Sequence, residues 1–316
     1  MSNTEKSIVK LKKKEEETKE DLKLLSPKVD VVFQVLFGRV GSERITKSFL
    51  EAILKTSIDN IDLSKNPILE RDKLKDKMGI LDVLAKIDGK ENCNVEMQMT
   101  EKNNMMERIL YYWSKLYYRQ IEKGDDYDTL QRTIVVLIAN YEMPELKGLS
   151  YYTKWAITNI SEGKRIILTN KLEIDIIELP KIQKEKIDKN KELLDWLYFI
   201  EDPESERVKD IMKENVAVKE AYEKLQKISA DEEMRILADL RQKAIMDEKA
   251  IYARGIDVGE EKGLKRGREE GMKEGIEQGI KQEKIDTAKK LLELNIKIED
   301  IIKATGLSKE EIEKLK

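Results

Sequence analysis

Four polar residues stand out by type and spacing: Asp82 and Lys86 in LDVLAKI, and Glu96 and Gln98 in NVEMQM, within residues 81–99. Both segments alternate as half-buried strands do, so each has an apolar and a polar face. Leu81, Val83, Ala85 and Ile87 share one face. Asp82, Leu84 and Lys86 share the other. On the second segment Val95, Met97 and Met99 lie opposite Glu96 and Gln98. For both apolar sets to meet one core, Asp82 and Glu96 must emerge on the same side of the hairpin. A three-residue loop, Asp88-Gly89-Lys90, sets Asp82 directly opposite Glu96. A five-residue loop, 88–92, sets it opposite Gln98, with Glu96 on the diagonal. In either register the carboxylates are about 5–8 Å apart at Cβ. Two carboxylates at that range repel unless a cation lies between them. A divalent ion with oxygen ligands, Mg²⁺ above all, suits one or two carboxylates, water and a phosphate. Such an ion polarises a phosphoryl oxygen and activates water. The competing reading is an edge hairpin with a solvated polar face.

Composition narrows the chemistry further. The 316 residues contain no histidine, which excludes His-ligated zinc, Ser-His-Asp triads and histidine bases. The single Cys93 allows no internal disulfide and fits a reducing cytoplasm. The start, MSNTEKSIVKLKKKEEETKE, lacks the apolar run of a signal peptide, and no segment approaches the roughly 20 apolar residues of a membrane span. A net charge of −3 argues against a generally basic nucleic-acid coat, while leaving room for a local patch.

Several elements must position the hairpin. Phe33, Leu36 and Phe37 recur at helical spacing before Gly38 and Gly41, and Ser42 is placed to cap a helix carrying Ile45, Phe49, Ile53 and Leu54. Residues 102–122 form an aromatic-rich helix. TIVVLIANY, 133–141, is the continuous apolar run of a buried central strand. RIILTN and LEIDIIEL, within 165–179, read as two further strands, and about 186–250 is charged amphipathic helix. The organisation predicted is a charged tail over 1–25, an α/β core over 26–183, a charged helical region over 184–254, a glycine-patterned helix over 255–282 and a small helical end over 283–316.

Glycine falls at 255, 259, 263, 267, 271, 275 and 279, every fourth position. Each costs a helix about 1 kcal/mol relative to alanine. An apolar residue usually follows: Ile256, Leu264, Met272, Ile276, Ile280. The row is either a groove for self-association into a homo-oligomer or a solvated linker helix. In the tail, Thr305-Gly306 ends one helix, and Ser308 with Glu311 makes a capping box for the next. That pattern reads as a helical cap or a small helix-turn-helix unit.

Asp on one strand and Glu-x-Gln on the next resembles the signature of PD-(D/E)XK nucleases. Three stretches resemble, more closely, the Rpn family of recombination-promoting nucleases, also labelled transposases: SPKVDVVFQVLFG at 26–38, LDVLAKI with NVEMQM at 81–99, and MERILYYWSKLYYRQ at 106–120. The resemblance implies a restriction-endonuclease-like α/β core, with a mixed central sheet flanked by helices and a long charged helical C-terminal arm. It implies metal-dependent DNA cleavage, with Asp82 and Glu96 holding Mg²⁺ and Gln98 in the place of the superfamily lysine. Asp30 matches the acidic residue of the first motif and assists the metal or positions its helix. Arg108 and Tyr112 are placed to touch the DNA backbone. Lys86 is either the missing positive charge or a surface lysine. An amide at 98 orients water but carries no charge, which leaves open a catalytically weak DNA-binding or regulatory relative, or an oligomerising scaffold.

Overall fold

The computed structural model describes residues 23–63, 82–101, 104–161, 165–184 and 190–315. Residues 1–22 of the predicted 1–25 tail and the start of the hairpin, Leu81 included, lie outside them.

Chain order runs α1 (Asp30–Phe37), α2 (Glu43–Leu54), β1 (Ile61–Asp62), β2 (Val83–Ile87), β3 (Glu91–Gln98), α3 (Met105–Tyr118), β4 (Arg132–Ala139), β5 (Tyr152–Trp155) and β6 (Leu172–Glu178). Helices α4 (Lys191–Glu201), α5 (Glu206–Glu214), α6 (Val216–Ala230), α7 (Glu232–Glu293), α8 (Ile298–Thr305) and α9 (Lys309–Glu313) follow. The described strands form one mixed sheet in the order β1-β2-β3-β4-β6-β5. β3, β4 and β6 are parallel, while β2 and β5 run antiparallel to their neighbours. This is the predicted α/β architecture.

The central strand β4 is apolar along both faces because helices cover both. On one face Val83, Ala85, Cys93, Val95, Ile134, Val136 and Ile138 pack against α1, α2, α4 and α6. All four phenylalanines of the chain, Phe33, Phe37, Phe49 and Phe199, are buried there around Trp196. Phe37 and Phe49 lie 5.8 Å and 5.5 Å from the Trp196 ring. On the opposite face α3 lays Met105 and Ile109 over Val135, Leu137, Ile174 and Ile176.

Three expectations need correction. The core does not end near 183: Leu193, Trp196, Leu197, Phe199 and Ile200 of α4, and Val218, Ala221 and Leu225 of α6, belong to the same apolar cluster. Their apolar stripes look like arm helices in sequence, but they are the layer that closes one face of the sheet. RIILTN is not a strand. β6 is already flanked by β4 and β5, so RIILTN cannot pair beside it. It makes only a bridge between Thr158 and Ile167, and Ile166, Ile167 and Leu168 are exposed. Ser42 does stand at the N-cap of α2, but its side chain makes no capping bond. Its Oγ is fully buried and takes a hydrogen bond from Lys224 Nζ on α6 instead.

The chain packs as two units, one ending at Asp247 and the other beginning at Glu248. In the second, Ala288, Ile301, Leu307 and Ile312 form a small core of their own. Gly306 ends α8 in the left-handed region, at φ 70°, where glycine avoids the Cβ penalty. The predicted capping box of Ser308 and Glu311 is present.

Candidate metal centre

The site is built by the β2–β3 hairpin. Ile87 pairs with Glu91 and Val83 with Val95, so the three-residue loop is the observed one. Asp88 and Gly89 both take positive φ in that turn, at 49° and 65°. Continuing the register by one residue sets Asp82 against Glu96. The two are tied reciprocally. The Met97 backbone N–H donates to Asp82 Oδ2 at 2.6 Å, and the Asp82 backbone N–H donates to the Glu96 carboxylate. Asn94 Nδ2 donates to Glu96 Oε1 at 2.7 Å.

Both carboxyls are pushed upward in pKa. For Asp82 the main cause is burial, followed by the Glu96 charge. The Met97 N–H pulls the other way, Asp30 adds repulsion and Arg241 offsets it. Glu96 is raised to about 7, chiefly by burial. The Asn94 bond, the Arg108 charge and the Asp82 N–H each oppose the rise. Two acids pressed together in a low-dielectric setting, each favouring its neutral form, are what a cation between them would relieve. Among the described residues no set of three or more His, Cys, Asp or Glu side chains gathers as a protein cage for a metal. Asp82 and Glu96 offer two carboxylate donors, and oxygen donors of that kind suit a magnesium-like ion.

The other predicted residues divide. Gln98 lies two residues beyond Glu96 on the same face, at the end of β3, and is half-buried. Asp30, at the start of α1, is close enough to raise Asp82, but it is held by Arg241. The guanidinium meets both carboxylate oxygens, with Nε at 3.0 Å from Oδ1. Oδ1 also accepts from the Val31 N–H. Arg108 lies within electrostatic range of Glu96 and donates from Nη2 to the Tyr112 hydroxyl at 2.8 Å. Lys86 is not brought to the centre. It is four residues along β2 from Asp82, about 13 Å down the strand, and pairs across to Asp62 of β1.

Sequence reasoning missed three contributors. Asn94 was legible in principle, since it continues the polar alternation Asn94, Glu96, Gln98. Arg241 was not, because nothing local marks a residue 211 positions from its partner Asp30. Gly38 was read only as a helix stop. A Cβ there would lie 2.9 Å from Gln34 O and 3.2 Å from Asp82 O, so the glycine lets the end of α1 seat against the backbone of Asp82.

A mixed sheet with helices on both faces, carrying Asp and Glu-x-Gln on adjacent antiparallel strands, defines a nuclease fold of the PD-(D/E)XK class. The family model for PD-(D/E)XK nuclease family transposases matches residues 27–255, and the chain belongs to that family. No curated protein and no solved structure matches the chain.

Proposed function

We propose that this protein is a divalent-cation-dependent DNA endonuclease of the Rpn type. The observation that carries the reading is the cross-strand pair Asp82 and Glu96, a half-buried and a buried carboxylate on the same side of one hairpin, in a chain whose family is nucleolytic. These two residues would hold the cation, with Mg²⁺ the natural choice for oxygen ligands. The chemistry the ion supplies is charge for a phosphoryl oxygen and activation of a water nucleophile. The chain does the rest. Met97 N–H and Asn94 Nδ2 each fix one carboxylate oxygen, which holds the pair in a single geometry. Gln98 orients water through its amide. Arg108, beside Glu96, supplies the positive charge that an amide at 98 does not. Hydrolysis breaks one P–O bond and leaves a phosphate on one fragment and a hydroxyl on the other.

Gln98 favours a second reading, a DNA-binding relative with weak chemistry. Incubation of supercoiled plasmid with the protein in Mg²⁺ and in EDTA, beside Glu96→Ala, separates them. Nicking that needs both the ion and Glu96 supports the nuclease. Intact plasmid, or nicking that survives in Glu96→Ala, removes it.

We assign a second copy of the chain to the glycine row of α7, making the protein a homo-oligomer. A Cβ added at any of Gly255 through Gly279 would meet nothing within 4 Å, and Leu264, Met272 and Ile276 beside the row are exposed. A cytoplasmic location agrees with a lone buried cysteine. Among the described residues no helix is long and apolar enough to cross a membrane.

A further inference from the structure

We infer that the outer face of α3 is a docking strip for an unpaired DNA strand, which makes single-stranded or locally melted DNA the preferred substrate of the centre described above. The inference rests on the nuclease reading for what happens to the strand, but not for its binding. Tyr111 and Tyr118 are 61% and 78% exposed, on a helix that buries only Met105 and Ile109 against the sheet. They are seven residues apart, two helical turns, and so share a face about 10 Å long. Lys115 lies between them, and Arg119 closes the same flank. The flank begins at Arg108, whose charge is felt by Glu96. The strip thus starts beside the carboxylates and leads away from them.

Charge identifies the occupant. From Met105 to Arg119 the helix carries Arg108, Lys115 and Arg119 against Glu107 alone, in a chain whose net charge is −3. Immediately beyond, Glu122, Asp125, Asp126 and Asp128 reverse the sign, which ends the strip for a polyanion. Tyr127, although 77% exposed, lies in that acidic segment and is excluded from it. Rings interleaved with cations are the arrangement that holds single strands, bases stacking on the rings while the cations follow the phosphates. In a duplex the bases are stacked on one another, and their faces are closed to a tyrosine.

The test is fluorescence anisotropy in EDTA, with a labelled mixed-sequence oligonucleotide and its matched duplex. Wild-type protein is expected to bind the single strand more tightly. Tyr111→Ala with Tyr118→Ala should weaken that binding about tenfold or more and leave duplex binding unchanged. The corresponding phenylalanine variants should bind as wild type, because they keep the ring. Both positions are exposed, and circular dichroism confirms that each variant is folded. Equal or tighter duplex binding overturns the proposal. So does a loss in the phenylalanine variants that matches the alanine ones, which would mean hydroxyl contacts to phosphate. Altered sedimentation with unaltered strand binding also overturns it, since the face would then join two copies. Ring-dependent strand binding by a protein that nicks nothing supports the strip while removing the nuclease reading. Nicking of duplex that is indifferent to both tyrosines does the reverse.

Discussion

The burial of the Glu96 carboxyl should be measurable as a pH dependence of stability in the cation-free protein. Glu96 is held at about 7 against an ordinary 4.5, mainly by burial. Each tenfold in proton affinity is worth about 1.4 kcal/mol, so ionised Glu96 costs the folded state about 3 kcal/mol. The folded chain keeps this proton to higher pH than the unfolded chain does. Stability from this group is therefore intact below about pH 4.5, falls as pH rises from 4.5 to 7, and is level above that. Asp82, raised in the same direction, steepens the fall. Urea unfolding followed by tryptophan fluorescence, with Trp196 in the core as reporter, would read this between pH 5 and 8 in EDTA. Glu96→Gln keeps the shape and removes the charge. It should be more stable than wild type at pH 8 by up to about 3 kcal/mol and by less than about 1 kcal/mol at pH 5. Excess Mg²⁺ should stabilise wild type at pH 8 and leave Glu96→Gln nearly unmoved. A wild-type curve parallel to that of Glu96→Gln across this range would refute the claim that burial holds the Glu96 carboxyl above its ordinary range.

Gly38→Ala places a methyl 3.2 Å from Asp82 O and 2.9 Å from Gln34 O, so the end of α1 must shift at a cost of about 1–3 kcal/mol. We expect cation affinity, read by calorimetry, to fall by more than the loss of unfolding free energy accounts for; equal losses would make Gly38 merely structural. Asp175 is fully buried, its Oδ2 has no hydrogen-bond partner among the described residues, and burial lifts it to about 7. Asp175→Asn should therefore raise stability at pH 8 by about 1–3 kcal/mol, with a gain that shrinks as pH falls from 7 and vanishes only below about pH 3.8, and no gain at pH 8 would contradict the assignment. Alanine at Gly263, Gly267 and Gly271 should raise helicity by circular dichroism, because each relieves about 1 kcal/mol of helix cost. If a second copy uses the row, the same variant should self-associate less in sedimentation, and unchanged association would leave α7 a linker.

Much of the centre was legible before any fold was known, because strand alternation is a local property. The apolar faces of LDVLAKI and NVEMQM had to meet one core, which put Asp82 and Glu96 on one side and left only the loop length open. The absence of histidine narrowed the chemistry, and helix-end signals such as Ser308 with Glu311 depend on neighbours three residues away. What tertiary structure alone decided is long-range. Which strand takes the last place in the sheet depends on who occupies the neighbouring edges, and RIILTN found β6 already paired on both sides. Whether α4 and α6 are arm or core depends on which face of the sheet needs covering, and their stripes suit either fate. The locking of Asp30 by Arg241 and the bare Gly38 against Asp82 are contacts between segments distant in the chain. No periodicity encodes such meetings, because they exist only once the layers have packed.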